Sequence, residues 1–310
     1  MNKSDHFIVS FAGLTIGFRL PEPIVIPPAL SAFLCEESAD TQPKSAMGEG
    51  SGIVSNMGRR RPEVEYRVEL LREPLNLTEV PVESYNGMQV YRRESGWLRV
   101  YTPLTAADGC QVACLTTAAG KNTLYYPASK WSFYAKELRI LHLIGIEEIL
   151  LRYEAFLLHS SVVKKDGHMV LFSGPSGAGK STQASLWEKY LGAEVINGDR
   201  CIIRKMGDSF WGAGSPWCGT SAIYRNEMAP LKGIFILGQA EKNSVRRIKA
   251  EAFINIYQQC IVNEWASEFV VALSDLIAQL LGQIPVYELN CRPDQDAVRL
   301  AYNTLFEGGI

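Results

Sequence analysis

The chain has 310 residues, enough for two domains or one large one, and its 47% hydrophobic and 21% charged content is that of a globular protein that folds in water. Its 31 basic and 33 acidic residues nearly cancel to a net charge of −2, which leaves no electrostatic footprint for nucleic acid or an anionic membrane. Seven cysteines with no C-x-x-C pair and no histidine grouped beside them argue for a reducing compartment and against structural zinc.

In chain order, the apolar run at residues 7–18 has the look of a signal-peptide core. Asp5 and His6 precede it and Arg19 closes it, however, so residues 13–18 read as a strand. No run reaches the length of a membrane span, and the expected location is the cytoplasm. Asn2-Lys3-Ser4-Asp5 matches the guanine-reading N-K-x-D pattern of GTPases, but it sits at a terminus expected to be disordered and upstream of any phosphate-binding motif, so it reads as chance. Residues 36–62 are rich in Ser, Gly, Glu, Pro and Arg without periodicity, the mark of a mobile insertion, and its Arg59, Arg60 and Arg61 read as solvated. From there Val64, Tyr66, Val68 and Leu70 alternate with Glu63, Glu65, Arg67 and Glu69, a half-buried strand. Short strands follow at 88–91, 97–101, 111–116 and 123–126, with turns at Glu94-Ser95-Gly96, Asp108-Gly109 and Gly120-Lys121-Asn122. Residues 1–135 are therefore expected to form a β-rich N-terminal domain.

Residues 138–153 switch to helical spacing and lead into a second domain, 136–310. Two apolar runs, 156–163 and 168–173, are separated by Lys164-Lys165-Asp166-Gly167, the signature of a hairpin with Asp166 and His168 at its solvated turn. Next comes Gly174-Pro175-Ser176-Gly177-Ala178-Gly179-Lys180-Ser181-Thr182, which satisfies G-x-x-x-x-G-K-[ST] in full, and after it Ala184, Trp187 and Leu191 recur at helical spacing. Strand, glycine loop and helix in this order suit a nucleoside triphosphate. Glycines admit positive φ and let backbone N–H groups close on a polyphosphate. The helix N-terminus adds about half a positive charge, and Lys180, expected to face solvent, adds a full one for the β- and γ-phosphates. Ser181 is the expected Mg²⁺ ligand, and ATP with Mg²⁺ the expected cofactor pair.

A strand at 194–197 ends in Asn197-Gly198-Asp199, nineteen positions after Lys180, so one helix and a tight return would bring the Asp199 carboxylate to the phosphates to hold Mg²⁺ or take a proton. Beyond it lie a Gly/Ser-rich stretch at 212–221, a strand at 233–237, helices at about 250–281, a strand at 285–290 and a closing helix from Asp294. Residues 214–227 are the candidate substrate loop, with Trp217 offering a flat apolar face and Arg225 neutralising charge on the transferred phosphoryl group. Trp217-Cys218-Gly219-Thr220-Ser221 lacks the strand and helix that flank a single-thiol redox site and is not read as one.

At this point the chain resembles a family, the HPr kinase/phosphorylase catalytic domain, which shares its nucleotide site with the ATP-dependent phosphoenolpyruvate carboxykinases. Three stretches carry the resemblance, over about residues 151–237: Leu157-Leu158-His159-Ser160-Ser161-Val162 on the hairpin, the loop at 174–182, and the early acidic strand end Asn197-Gly198-Asp199. It implies an α/β fold with a mixed α+β sheet, a phosphoenolpyruvate carboxykinase-like P-loop core joined to the β-rich N-terminal unit. It also implies that His159 matches the family's histidine and Asp199 the second of its paired aspartates, while Gly198 replaces the first, the proton acceptor. Either Asp199 takes both tasks or His159 becomes the base.

The expected function is thus an ATP-dependent kinase acting on a hydroxyl, a serine by expectation, of a protein, peptide or small molecule, in the manner of a distant HPr-kinase-like relative with another substrate. The β-rich unit would present the acceptor, and a homo-oligomer is left open. A non-catalytic ATP-binding regulatory module is the alternative, and a phosphoenolpyruvate carboxykinase-like enzyme a weaker third.

Overall fold

The computed structural model describes residues 3–26, 28–35, 62–102, 111–136 and 139–308, and the chain divides into two compact units, Met1–Ile144 and Gly145–Ile310. Apart from Pro62, the expected insertion with its three arginines lies outside the described residues, as do the turn at Asp108-Gly109 and Cys110.

In the first unit a single sheet contains β1 (Lys3–Phe11), β2 (Leu14–Val25), β3 (Leu34–Cys35), β4 (Val64–Leu71), β5 (Glu83–Tyr85), β6 (Met88–Arg93), β7 (Gly96–Tyr101), β8 (Val112–Thr117) and β9 (Lys121–Pro127). Their order is β3-β1-β2-β4-β9-β8-β7-β6-β5, with β4 parallel to both β2 and β9. The alternation at 64–68 holds, since Val64, Tyr66 and Val68 are buried and Arg67 is exposed. Phe7, Phe18 and Tyr66 stack in a row across three strands with centroid spacings of 5.0 and 5.4 Å, a large apolar area at low rotamer cost. The terminus expected to be disordered is instead strand β1, with Lys3 opposite Val25 and Ser4 opposite Ile24. Two one-turn helices, α1 (Pro28–Ser31) and α2 (Trp131–Tyr134), also belong to this unit.

The helical spacing at 138–153 is only partly a helix. A 3-10 turn spans Arg139–Leu141, Gly145 takes φ 62°, and α3 covers only Ile146–Arg152. Ile140, Leu141 and Ile144 are buried residues of the first unit, Ile149 and Leu150 of the second, so one apolar run serves two cores.

The second unit contains β10 (Ala155–Lys165), β11 (His168–Ser173), α4 (Lys180–Leu191), β12 (Glu194–Asn197), β13 (Arg200–Met206), β14 (Ser209–Ala213), β15 (Met228–Gln239), β16 (Ser244–Ile248), α5 (Ala250–Tyr257), α6 (Ser267–Gln283), β17 (Val286–Cys291) and α7 (Gln295–Phe306). The β10–β11 hairpin turns at Asp166 and Gly167 with φ of 48° and 76°, the left-handed pair that matches strand twist. β10 and β15 each serve three ladders. β10 pairs with β13 through residues 155–159, with β11 through 160–165 and with β12 through 162–164. β15 starts antiparallel to β14 and continues parallel to both β11 and β17, which makes the sheet mixed. Trp187 of α4 is fully buried with its ring edge toward Phe172, 5.4 Å between centroids, and this docks the helix on the sheet.

Strands β13, β14 and β16 are not evident in the sequence. Cys201, Ile202 and Ile203 of β13 are all fully buried, so the strand has no alternation, and β14 runs into the stretch that reads as Gly/Ser-rich loop. No helix among the described residues is long and apolar enough to cross a membrane.

Candidate functional site

The loop after β11 passes through Gly174 (φ 137°), Gly177 (φ 81°) and Gly179 (φ 101°), values that L side chains rarely adopt, before α4 begins at Lys180. Gln239 Nε2, from the end of β15, donates to Gly177 O at 2.9 Å and ties the loop to the parallel neighbour of β11. The Lys180 ammonium does not face solvent as expected. The residue is 8% exposed, and its Nζ donates to Gly174 O at 2.9 Å and Pro175 O at 3.1 Å. The cation is therefore curled over the loop that precedes it. Burial pulls its pKa below the ordinary lysine value, and the Asp199 carboxylate opposes that shift.

The acidic turn is organised by Asn197, which is fully buried at the end of β12. Its Oδ1 accepts from the N–H groups of Asp199 (2.8 Å) and Arg200 (2.9 Å), and its Nδ2 donates to Ser215 O (2.9 Å) and Trp217 O (3.1 Å). Because Asn197 makes the turn, the Asp199 carboxylate is left to other partners. Its Oδ1 lies 3.3 Å from His159 Nε2 and its Oδ2 3.4 Å from Arg200 Nε. His159 stands where β10 passes from its ladder with β13 to its ladder with β11, and its carbonyl accepts from Ser173 Oγ at 2.9 Å. Burial holds the imidazole below its usual pKa, with Lys180 and Arg200 acting the same way and Asp199 against them.

These groups share one cavity of about 330 Å³, lined by Ser176, Lys180, Ser181 and Thr182 from the loop and helix, and by His159, Gly198, Asp199, Cys218 and Ser221. A second cleft of about 630 Å³ also opens on Gly177, Gly179 and Thr182, and adds Gln183, Gln239, Cys291 and Arg292. Gly198 is bare for a steric reason. A Cβ there would meet Ser221 Oγ at 2.3 Å and Ser221 Cβ at 2.6 Å, so the space a carboxylate at 198 would need is filled by Ser221.

Two expected site residues lie elsewhere. Residues 224 and 225 are strapped along β12 by the Asn197–Tyr224 bridge and by Arg225 N donating to Ile196 O, which sends the Arg225 guanidinium to Glu194 at 3.1 Å and away from this cavity. Trp217 is 6% exposed and so offers no open apolar face. From the candidate substrate loop it is Cys218 and Ser221 that reach the cavity. Arg200 is the cation that sequence reasoning missed, and its signal was simple adjacency to Asp199.

For a metal, no three His, Cys, Asp or Glu side chains gather among the described residues. The oxygen donors of Ser181 and Asp199, both lining the cavity, fit Mg²⁺, which takes one or two protein ligands and completes its shell with phosphate and water.

No family model matches the chain, and no curated protein matches it. Among solved structures it is similar to that of the Hpr(Ser) kinase/phosphatase from Coxiella burnetii, at 13% identity and a TM-score of 0.29, over 49% of this chain and 88% of that one. The similarity is a distant one.

Proposed function

We propose that this chain is an ATP-dependent phosphotransferase that moves the γ-phosphoryl group to a hydroxyl acceptor, a serine on a protein, peptide or free small molecule. The observation that carries the reading is the meeting of a glycine loop at positive φ, Lys180 at a helix N-terminus and the Asp199–His159 pair in one cavity. Backbone N–H groups and the helix dipole favour a polyphosphate in the loop. The larger cleft, which shares three loop and helix residues with that cavity, takes the nucleoside.

Lys180 swings from its two carbonyl partners to the phosphates, and Ser181 and Asp199 would hold Mg²⁺, which supplies charge neutralisation when bound. His159 and Asp199 are in hydrogen-bond reach of one another and together accept the acceptor's proton. With Arg225 drawn to Glu194, Arg200 is the arginine beside the reacting groups.

Gly198 favours a second reading. With Ser221 packed on it, the site has a single carboxylate, as a nucleotide-binding regulatory module without turnover would. ATP turnover with and without free serine or a serine peptide separates the two. Acceptor-dependent turnover that drops about 10²- to 10⁴-fold in Asp199→Asn supports the kinase. Tight ATP binding with no turnover on any acceptor supports the module.

A further inference from the structure

Four hydroxyl side chains line the smaller cavity. Ser176, Ser181 and Thr182 belong to the loop and the first turn of α4, which grip the phosphates in the reading above. Ser221 is different, because it comes from a separate 3-10 turn, Gly219–Ser221. It places a primary alcohol, the functional group of the proposed acceptor, on the protein itself and in the cavity that holds Lys180, His159 and Asp199.

The hydroxyl is fixed there. Ser221 Oγ donates to Cys218 O at 2.7 Å and accepts from Ile223 N at 3.3 Å, and it lies close enough to Gly198 that a Cβ there would come within 2.3 Å. The same turn rests on the acidic group, since a Cβ at Gly219 would meet Asp199 Cγ at 2.9 Å. Ala222, the next residue, has φ 52°, a conformation uncommon for a residue with a side chain. One short segment thus brings a nucleophile and leans on the carboxylate that would receive its proton.

We infer that Ser221 is a phosphoryl acceptor of this site, so that the protein phosphorylates itself there. The inference rests on the kinase reading. In the step, a bond forms between Ser221 Oγ and the γ-phosphorus while the bond from that phosphorus to the β,γ-bridging oxygen breaks. ADP departs with the electron pair, and the hydroxyl proton passes to the Asp199–His159 pair.

The full chain incubated with ATP and Mg²⁺ is followed by intact mass and by fragmentation to locate the phosphate, with calorimetry of ATP binding and an acceptor-turnover assay alongside. The expected result is one phosphoryl group per chain on Ser221. It is absent in Ser221→Ala, which still binds ATP, and it forms about a hundredfold more slowly in Asp199→Asn. An unmodified chain that turns over ATP onto serine or a serine peptide overturns the inference and leaves the kinase reading standing. Phosphate found on Ser176, Ser181 or Thr182, or as an acid-labile adduct on His159, overturns it as well. ATP binding with neither labelling nor turnover overturns both.

Discussion

His159 lies among two cations and one anion, and the balance decides its charge. Burial, Lys180 and Arg200 all disfavour the imidazolium, and only Asp199 supports it. In a ¹³C-resolved NMR titration its ring should therefore change charge below about pH 6.5, the unperturbed value. Asp199→Asn should move the midpoint further down, because the supporting carboxylate is gone, and Lys180→Met should move it up. A wild-type midpoint above the unperturbed value would remove the neutral imidazole from the site. The same shift fixes a sign for stability. The unfolded chain binds this proton more readily, so the folded state loses stability as the pH falls below about 6.5 and gains nothing more from this group above it. The loop at 174–182 and Asp199 were legible in the sequence because each is specified by residues adjacent in the chain. Arg225 and Trp217 were not, because the path of residues 214–227 depends on a bridge to Asn197 and on hydrogen bonds from its side chain, partners outside the segment itself.

At the scale of elements, the turn between β12 and β13 depends on one buried amide. Asn197 joins the Asp199 turn to the segment carrying Ser215 and Trp217, and Ser215 Oγ closes the arrangement by donating to Arg200 O at 2.8 Å. Asn197→Ala would strand two N–H groups and remove the two amide bonds to Ser215 O and Trp217 O, leaving the Ser215 Oγ bond to Arg200 O as the side-chain link between the two segments. A buried polar group without a partner costs about 1–3 kcal/mol, so a loss of about 3 kcal/mol is expected in denaturant unfolding, with turnover falling because Asp199 is no longer held. An unchanged midpoint would show that water replaces the amide without cost. Strands β4, β6, β7, β8 and β9 of the first unit and the β10–β11 hairpin were legible because each alternates or is bounded by turn residues, whereas β1, β3 and β5 were not. β13 was hidden by burial on both faces, and the helix expected at 138–153 is confined to Ile146–Arg152 because the apolar residues of that run belong to two units.

At the scale of the molecule, every group in the proposed chemistry lies in Gly145–Ile310, from His159 on β10 to Arg292 beyond β17. That unit has its own apolar cores on both sides of its sheet. One is built on Phe156, Leu171, Ile234 and Leu276, the other on Phe172, Trp187, Phe235 and Val298. A segment of 166 residues with such cores is long enough to bury roughly two thirds of its surface, the regime in which domains fold alone. Residues 145–310 expressed without the first unit should therefore melt cooperatively and retain calorimetric ATP binding within about tenfold of the full chain, a difference of about 1.4 kcal/mol. If the first unit presents the acceptor, the truncated chain should at the same time lose transfer to a protein or peptide acceptor while keeping the self-labelling of Ser221. A truncated chain that folds and binds ATP but transfers to every acceptor as well as the full chain would take that role away from the β-rich unit. One that fails to fold would show that the second unit's cores do not suffice without the first.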